Sequence, residues 1–330
     1  MGTYFTKVEL SRLRELRETL LRMEGRAAGD EAPRYWQSAA DIALYDRIFA
    51  ARIGWKWDAV LQEVESRGGL GSPRTVMDWG TGTGAAIRAV LRRLPEAPTK
   101  VLLFDRDKGA LRFAQGSIEL EFPGIEVEAS TSCPNVDVDL CLASHVLDEL
   151  DVHGENTLTA AIRRSAAAIW VEPGSKITSR RLSAARDHLL DVFDVQAPCT
   201  HKAACGILTE DHASDWCHHF APPPPEVHTT GAWAEIGREL KVDLRSLPYA
   251  FVALRREPVP TDDGLLRRLG RPRIDRGRAI VDVCDGSGVR QQQLLQRANK
   301  ALHKALKKTR GAAPLLRRTE GGFEEPPPHS

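Results

Sequence analysis

The sequence predicts an α/β protein with a doubly wound parallel sheet, and three observations carry this prediction. A glycine-rich turn, DWGTGTG at 78–84, follows a short apolar run. Further short runs rich in Val, Ile and Leu recur downstream, and segments with helical spacing of apolar residues separate them. Parallel strands are covered on both faces, so they occur in a sequence as continuous apolar runs rather than alternating ones.

The elements follow in order along the chain. Apolar residues at helical spacing predict one helix over 7–24 and a second from Ser38 to Glu65. Strands are predicted at RTVMDW, KVLLFDRD, IEVEAS, VDLCLASHVL and AAAIWVEPG, with the helix TLTAAIRRSA before the fifth. No helical pattern separates LPYAFVALRRE from RAIVDVCDGSG, so these two predict an antiparallel pair at one sheet edge. A last, basic helix is predicted over 291–308 from the spacing of Leu295, Ala298, Leu302 and Leu306.

The composition is typical of a soluble globular protein: 42% of the 330 residues are hydrophobic and 28% are charged. No run of about 18 apolar residues occurs, which excludes a membrane-spanning helix. The first residues contain no apolar signal core, so the expected location is cytoplasmic. Nothing in the sequence indicates an oligomeric state.

The net charge is only +1, but basic residues are concentrated near the C-terminus. Residues 290–318 contain nine Lys and Arg and no acidic residue, and residues 264–278 contain six Arg against one Asp. This asymmetry predicts a polyanionic partner, with a solvated helix face and a loose tail as the alternative. The predicted phosphate contacts are Arg267, Arg268, Arg271, Arg273, Lys300, Lys304, Lys307 and Lys308.

The glycine-rich turn predicts a site for a small molecule. Gly80, Gly82 and Gly84 follow a strand and precede a helix, so a ligand can approach the backbone closely. Their spacing differs from the Gly-x-Gly-x-x-Gly of dinucleotide sites. Asp78 precedes the glycines, and Asp105 ends the second strand, where a carboxylate can accept both hydroxyls of a ribose. A dinucleotide site and a tight turn without a ligand remain alternatives.

This arrangement resembles the class I S-adenosylmethionine-dependent methyltransferases, whose sheet is Rossmann-like. The resemblance implies that the three glycines border the methionine part of S-adenosyl-L-methionine and that Asp105 binds its ribose. Asp78 would orient the loop or the amino group of the cofactor. The full set of predicted cofactor-binding residues is Asp78, Gly80, Thr81, Gly82, Gly84, Asp105 and Ser144.

The end of the fourth strand, in ASHVLDEL, supplies the candidate catalytic residues Ser144, His145 and Asp148. In methyltransferases of this class that end faces the methyl group. The Asn/Asp-Pro-Pro-Tyr/Phe motif of base-amino methyltransferases is absent here, and so is a Pro-Cys nucleophile. Cys141 lies in mid-strand, where a core position is expected. His145 could be a general base or a packing residue, so the catalytic chemistry stays open.

Six cysteines occur, and three of them lie within nineteen residues, at Cys199, Cys205 and Cys217. Disulfides are not expected in a reducing cytosol. The spacing lacks the paired cysteines of a zinc knuckle, and wide all-cysteine spacing favours an iron–sulfur cluster. Three unrelated thiols remain an alternative, and zinc remains another because histidines are close by at His201, His212, His218 and His219.

The segments EPGS, AARDHLL, APCTHKAAC, DWCHHF and VDVCDGSG occur in the order seen in the Rsm22-like family. These are methyltransferase-like proteins of the mitochondrial small ribosomal subunit with bacterial relatives, and the resemblance covers residues 75–290. It implies a 4Fe-4S site at the end of the last sheet strand and in the insertion, with ligands Cys199, Cys205, Cys217 and Cys284. Two departures are Gly206, where the family usually has proline, and the absence of an Arg-x-Pro-x-Thr-Tyr pattern before the glycine turn.

Five regions are predicted from these features. They are an N-terminal helical region (1–70), an S-adenosylmethionine-binding methyltransferase core (71–195), a cysteine-rich, metal-binding insertion (196–246), the last core strands (247–290), and a basic helix with a disordered tail (291–330).

Three functions follow from the same features. The first is a methyltransferase, or methyltransferase-like factor, that acts on ribosomal RNA of the small subunit or on ribosome assembly. The second is a non-catalytic RNA-binding assembly factor that keeps the methyltransferase fold as architecture; the missing catalytic motif favours it. The intact glycine turn favours cofactor binding. A small-molecule methyltransferase agrees poorly with the basic C-terminal region.

Overall fold

The computed structural model describes residues 4–23, 36–245, 247–260, 262, 264–308, 314–320 and 322–326. The chain forms two compact units, each assembled from three separate segments. The first unit comprises Met1–Leu61, Leu70–Ser165 and Pro222–Leu247. The second unit comprises Gln62–Gly69, Ala166–Ala221 and Pro248–Ser330. Among the described residues, no helix combines the length and the apolar character that crossing a bilayer requires.

The first unit is an α/β fold whose four strands are all parallel, in the order β3-β2-β1-β4. The predicted α/β fold with a parallel sheet is confirmed here, and the first four predicted strands are all present. The strands are β1 (Thr75–Trp79), β2 (Lys100–Phe104), β3 (Glu126–Ser130) and β4 (Val138–Ser144). The helices between and after them are α4 (Ala85–Leu91), α5 (Lys108–Glu121) and α6 (Val152–Arg163).

Local signals in the sequence explain where these helices begin. Asp107 caps α5, because its Oδ1 accepts hydrogen bonds from the backbone N–H groups of Gly109 and Ala110 at 2.8 and 2.9 Å. Asp151 caps α6 in the same way through the N–H of Gly154 at 2.7 Å. These carboxylates satisfy backbone donors that a helix start otherwise leaves unpaired.

Helices from both ends of the first unit share one apolar cluster. The first helices are α1 (Lys7–Met23), α2 (Ala39–Tyr45) and α3 (Ala51–Glu65); a single π-turn, Asp46–Ala50, joins the last two. Leu13 and Leu16 of α1 are fully buried against Ile236 of α9. The remaining helices of this unit are α8 (Glu226–Thr229) and α9 (Gly231–Glu239).

The second unit contains a set of mainly antiparallel strand pairs and one long helix. Strand β8 (Leu247–Arg255) pairs antiparallel with β5 (Ser165–Pro173) and with β6 (Asp194–Ala197), and the short β7 (His219–Ala221) also pairs with β8. The helix of this unit before β6 is α7 (Lys176–Leu189). The predicted strands AAAIWVEPG and LPYAFVALRRE correspond to β5 and β8.

A separate five-stranded antiparallel sheet forms the C-terminal part of the second unit. Its order is β11-β10-β9-β12-β13. The strands are β9 (Leu265–Asp275), β10 (Arg278–Asp285), β11 (Gly288–Leu295), β12 (Leu315–Thr319) and β13 (Gly322–Glu324), and α10 (Lys300–Lys308) lies between β11 and β12 in the chain. The sheet encloses an apolar core of Leu266, Ala279, Val281, Val283, Leu294, Leu302, Leu306 and Leu316.

This sheet differs from three expectations. RAIVDVCDGSG forms β10 here and does not pair with β8, because its alternating Ala279, Val281 and Val283 fill the small core. The predicted helix over 291–308 begins only at Lys300, since residues up to Leu295 pair with β10. The strands β12 and β13 are the third difference, since only a tail is predicted after the basic helix; residues 327–330 of its predicted disordered end, EEPPPHS, lie outside the described part.

Candidate functional site

The glycine turn after β1 is folded as a tight loop that ends at α4. Gly80, Gly82 and Gly84 have φ angles of 70°, 52° and 82°, in the left-handed region that glycine adopts without strain. The backbone N–H groups of Gly80 and Thr81 both donate to the carbonyl of Phe104 at the end of β2, at 2.8 and 3.0 Å. The loop is therefore fastened to the neighbouring strand.

Gly80 also has no room for a side chain. A Cβ atom there would lie 2.5 Å from Cγ1 of Val146, which is buried. A Cβ at Gly84 would lie 3.3 Å from Cβ of Ala114, which is tighter than an ordinary van der Waals contact. The spacing of the glycines thus reflects both backbone conformation and packing against the segment after β4.

Asp78 lies beneath the loop and is fully buried. Its Oδ2 accepts a hydrogen bond from Oγ1 of Thr81 at 2.7 Å. Burial raises the pKa of this carboxyl to about 7, because removal from water disfavours the charged form. Asp78 and Thr81, both predicted as cofactor-binding residues, therefore shape the loop from below.

Asp78→Asn is expected to stabilise the protein increasingly as the pH rises. The folded carboxyl has a pKa near 7 against an ordinary value of 3.8, so folding holds a proton that the unfolded chain releases. The wild-type free energy of unfolding therefore falls between about pH 4 and pH 7, whereas asparagine has no such dependence. The free energy of unfolding of Asp78→Asn, measured by urea denaturation, should exceed that of the wild type by up to about 4 kcal/mol at pH 8. A difference that is the same at pH 5 and pH 8 would contradict this assignment.

Asp105 follows β2 and faces the glycine loop. Its Oδ2 accepts a hydrogen bond from the N–H of Gly82 and its Oδ1 one from the N–H of Asp107, both at 2.8 Å. Burial raises its pKa, although part of the side chain stays exposed. A carboxylate offers about four acceptor positions, so two remain for a ligand. The structure thus brings Asp105 and the glycine loop together, as the sequence predicted.

The end of β4 carries a polar cluster that includes two of the three catalytic candidates. Oγ of Ser144 accepts a hydrogen bond from Nε1 of Trp57 at 2.9 Å, and Nδ1 of His145 lies 3.2 Å from the same oxygen. Nζ of Lys56 lies 2.8 Å from Nε2 of His145. His145 has a φ of 57°, a conformation that non-glycine residues adopt rarely and mostly at functional or tight positions.

The contacts of His145 decide its protonation. Burial and the neighbouring Lys56 hold the pKa of the imidazole well below its ordinary value, so the ring is neutral. An ammonium group can only donate, so Nε2 accepts from Lys56 and the ring proton resides on Nδ1. Nδ1 then donates to Ser144, which leaves the serine hydroxyl hydrogen available for another acceptor.

Lys56 and Trp57 were not predicted as site residues. They lie on α3, almost ninety residues before His145, and no local pattern relates them to β4. Asp148, the third catalytic candidate, lies half-buried in a 3₁₀ turn, Leu147–Glu149, directly after this cluster.

The four predicted metal ligands all lie in the second unit. Cys199, Cys205 and Cys217 lie in the irregular segment between β6 and β7, and Cys284 lies in β10. Cys205, Cys217 and Cys284 belong to one small apolar cluster, together with Ile207 and Leu269. The expectation that Cys284 ends the main sheet is wrong, since β10 belongs to the small C-terminal sheet.

The four thiols influence one another electrostatically. Burial, together with the charges of Cys199 and Cys205, raises the pKa of Cys284 to about 12. Burial also raises the pKa of Cys217, with contributions from the other three cysteines. Each thiol thus lies within electrostatic reach of its neighbours. Cys133 and Cys141 lie in the first unit, and Cys141 is buried in β4 as predicted.

The comparison with known families supplies the decisive observation. The sequence pattern of the family described as Mitochondrial small ribosomal subunit Rsm22 matches residues 50–313. The chain belongs to the Rsm22 family. The resemblance inferred from the sequence segments is confirmed. No curated protein matches the chain in sequence.

Several solved methyltransferases resemble this Rsm22 protein at low sequence identity. Magnesium protoporphyrin IX methyltransferase of Synechocystis, with bound S-adenosylhomocysteine, is 11% identical with a TM-score of 0.40; the match covers 76% of this chain and 100% of that one. A S-adenosylmethionine-dependent methyltransferase of Aquifex aeolicus is 16% identical with a TM-score of 0.35, covering 66% and 99%. The methyltransferase-like fold of the Rsm22 protein is supported by its own parallel strand order and glycine loop.

Three arginines contact the cysteine segment of the Rsm22 protein, and two of them, Arg186 and Arg267, are buried. Arg186 of α7 donates to the carbonyls of His201 and Ala203 at 2.9 and 2.7 Å. Arg67 donates to the carbonyl of Cys199 at 2.8 Å. Arg267 donates to Nδ1 of His219 at 2.8 Å. The irregular backbone is therefore held by side chains rather than by strand pairing.

Arg267 and Arg268 were predicted to contact phosphate, and the structure places them elsewhere. Only 2% of Arg267 and 5% of Arg268 are exposed. Arg267 forms an ion pair with Glu63, and Arg268 donates to the carbonyl of Gly270. An exposed phosphate cannot reach these guanidinium groups.

Within the described ranges, no three His, Cys, Asp or Glu side chains converge as ligands of a single metal ion. Gly206 is buried, and a Cβ there would lie 3.0 Å from Cα of Gly288 in β11. The absence of a side chain at this position lets the cysteine segment pack against the strand.

Proposed function

We propose that this Rsm22 protein binds S-adenosyl-L-methionine at the loop 78–84 and acts on the small ribosomal subunit through its RNA. The observation that carries the proposal is the contact between Asp105 and the N–H of Gly82, which sets a carboxylate at the rim of a glycine loop after a parallel strand. The family description supports the ribosomal partner. The bound cofactor would supply the methyl group.

The residues around the loop fit the cofactor. Gly80, Gly82 and Gly84 leave the backbone accessible, and Asp105 keeps acceptor positions for ribose hydroxyls. Ser144 lies at the end of β4 with a hydroxyl hydrogen to donate, so it can orient a ligand oxygen or nitrogen. Lys56 adds positive charge beside it, which favours an anionic acceptor such as RNA.

A non-catalytic assembly factor is the second candidate, and the contacts of His145 favour it. Nε2 of the ring accepts from Lys56 and Nδ1 faces Ser144, so neither nitrogen offers a lone pair to a substrate. The imidazole is therefore unsuited to remove a proton unless Lys56 moves. Whichever function is correct, the contacts of Trp57 and His145 hold the side chain of Ser144 in place.

We further propose that Cys199, Cys205, Cys217 and Cys284 hold one iron–sulfur cluster. Cys205, Cys217 and Cys284 share one small cluster, and the charge of Cys199 contributes to the raised pKa of Cys217 and Cys284. A four-iron cluster is larger than a zinc ion and its ligands stand farther apart. The positive charges of Arg67, Arg186 and Arg267 would offset its negative charge. Zinc is the alternative that metal analysis distinguishes.

Asp105→Ala is expected to lower the affinity for S-adenosylmethionine at least about tenfold. The variant removes charge-assisted hydrogen bonds worth roughly 1.5–3 kcal/mol. Isothermal calorimetry measures the loss. Asp107→Ala is the matched control, because Asp107 is two residues away and caps α5 without facing the loop. Equal affinities of Asp105→Ala and the wild type would contradict the proposed site.

Methyl transfer separates the two candidate functions. Small-subunit ribosomal RNA is incubated with the protein and methyl-labelled S-adenosylmethionine, and incorporation is compared between the wild type and Ser144→Ala. An enzyme should label the RNA, and the variant should lose most of that activity. RNA binding and cofactor binding without labelling would identify the assembly factor.

A further inference from the structure

The C-terminal strands form a small barrel with a recognisable topology. Strands β9, β10 and β11 are consecutive antiparallel neighbours, α10 follows the third strand, and β12 returns to pair with the other edge of β9. β13 pairs with β12 and contacts β11, which closes the ring. Five strands in this order, with a helix between the third and fourth, have the topology of the OB-fold.

The first strand has the bend that such a barrel requires. Gly270 in β9 has a φ of 55°, and the pairing of β9 with β10 shifts register between Ile280 and Asp282. A glycine bulge at this point bends the strand, which pairs with β10 from Arg267 to Asp275 and with β12 from Leu265 to Arg267. β9 thus belongs to both sides of the barrel.

The outer face of β9, β10 and β11 is mainly polar near the β9–β10 turn, whereas Leu269, Cys284 and Val289 at its other end pack against Ile207 of the cysteine segment. Ala279, Val281 and Leu294 point into the core, so their neighbours point outwards. On that outer face Arg273, Ile280 and Gln293 lie side by side, and Gln291 lies opposite Asp282. The turn between β9 and β10 adds two further exposed arginines, Arg276 and Arg278.

The barrel region has a large net positive charge. From Gly264 to Pro326 the sequence contains 15 Lys and Arg against 6 Asp and Glu, a net charge of +9, whereas the whole chain has +1. In the β9–β10 hairpin, the three acidic residues Asp275, Asp282 and Asp285 each pair with an arginine. A face of this charge is complementary to a polyanion.

We propose that the outer face of β9–β11 and the turn at Arg276 bind single-stranded RNA. This face of an OB-fold, with its first turn, is the usual oligonucleotide site. The outward positions of β10 and β11 hold no aromatic residue, so guanidinium planes stack on bases and glutamine amides bond to their edges. Binding is therefore tolerant of sequence and sensitive to salt. The inference rests on the proposed RNA partner and is independent of cofactor binding.

The test measures binding of a fluorescein-labelled, 12-nucleotide single-stranded RNA of mixed sequence to the full-length chain by anisotropy. The triple variant Arg273→Gln/Arg276→Gln/Arg278→Gln removes three exposed charges. We expect at least about a tenfold loss of affinity at low salt. The slope of log K against log salt should become shallower by about 2, since each phosphate contact contributes about 0.7 for single strands.

The matched control is Lys300→Gln/Lys304→Gln/Lys307→Gln, which removes three exposed charges from α10 of the same barrel. It should change affinity by less than about threefold and keep most of the salt slope. A duplex of the same length should compete more weakly than the single strand. Circular dichroism and thermal melts establish that both variants are folded.

The outcomes separate the two proposals. If the wild type binds no RNA of either kind, the proposed RNA partner fails and this inference fails with it. If the wild type binds and the hairpin variant binds equally well, only this inference is overturned. The inference is also overturned if the α10 variant loses more RNA affinity than the hairpin variant, or if the wild type binds the duplex more tightly than the single strand. S-adenosylmethionine affinity should be the same in all variants.

Discussion

Cys284→Ser is expected to reduce the iron content of the Rsm22 protein from about four atoms per chain to below about one. Cys284 lies in β10 of the barrel, whereas the other three proposed ligands lie in the loop before β7. Serine replaces a thiolate by a hydroxyl that stays protonated and binds iron poorly. Anaerobic purification followed by iron and sulfide analysis measures the loss, together with the visible absorbance of the cluster.

Two other cysteines provide the control. Cys133→Ser and Cys141→Ala change thiols of the first unit, and both variants should keep full iron and sulfide. Alanine is chosen at Cys141 because a serine hydroxyl would be buried without a partner. Full metal content in Cys284→Ser would exclude Cys284 as a ligand. One zinc per chain without sulfide in the wild type would replace the cluster by a zinc site.

Arg267→Met is expected to lower the free energy of unfolding by about 3 kcal/mol. Arg267 is 2% exposed and forms an ion pair with Glu63 and a hydrogen bond to His219. When Arg267 is removed, the Glu63 carboxylate keeps one cationic neighbour, Arg67, whose Nη1 lies 3.8 Å from Oε1 of Glu63. The ring of His219 also loses the donor that fixes its Nδ1 as an acceptor. Urea denaturation measures the change.

A double-mutant cycle separates the ion pair from lost packing. Glu63→Gln combined with Arg267→Met should cost clearly less than the sum of the two single variants, because neither buried charge is then left alone. Arg273→Met, at an exposed position of the same strand, should change stability by less than about 0.5 kcal/mol. A cost below about 1 kcal/mol for Arg267→Met would show that the pair does not stabilise the second unit.

The core strands and the cofactor loop could be predicted because their signals are local. Residues 75–84 combine a buried apolar strand with glycines whose positive φ no other residue adopts as easily, and Asp105 stands directly after the next strand. The helix caps Asp107 and Asp151 also act within three residues. Each of these features depends on neighbours in the chain.

The barrel could not be predicted in this way. β11 reads GVRQQQLL, with mostly polar residues, and its pairing with β10 depends on one alternating face. The spacing of Leu295, Ala298, Leu302 and Leu306 matches one face of a helix, so the sequence predicts a helix from residue 291. Glu63 and Arg267 are 204 residues apart, and only the fold shows that this arginine is buried in an ion pair. Long-range contacts of this kind leave no pattern in a single sequence.

The division of the first unit into three segments has a consequence for synthesis on the ribosome. Leu13 and Leu16 of α1 pack against Ile236 and Leu240, which emerge about 220 residues later. At about 5–20 residues per second, the apolar face of α1 waits roughly 10–45 seconds for this partner. During that interval the nascent chain exposes the apolar face of α1. Chaperones that bind exposed apolar surfaces would have time to bind this helix before the first unit has folded.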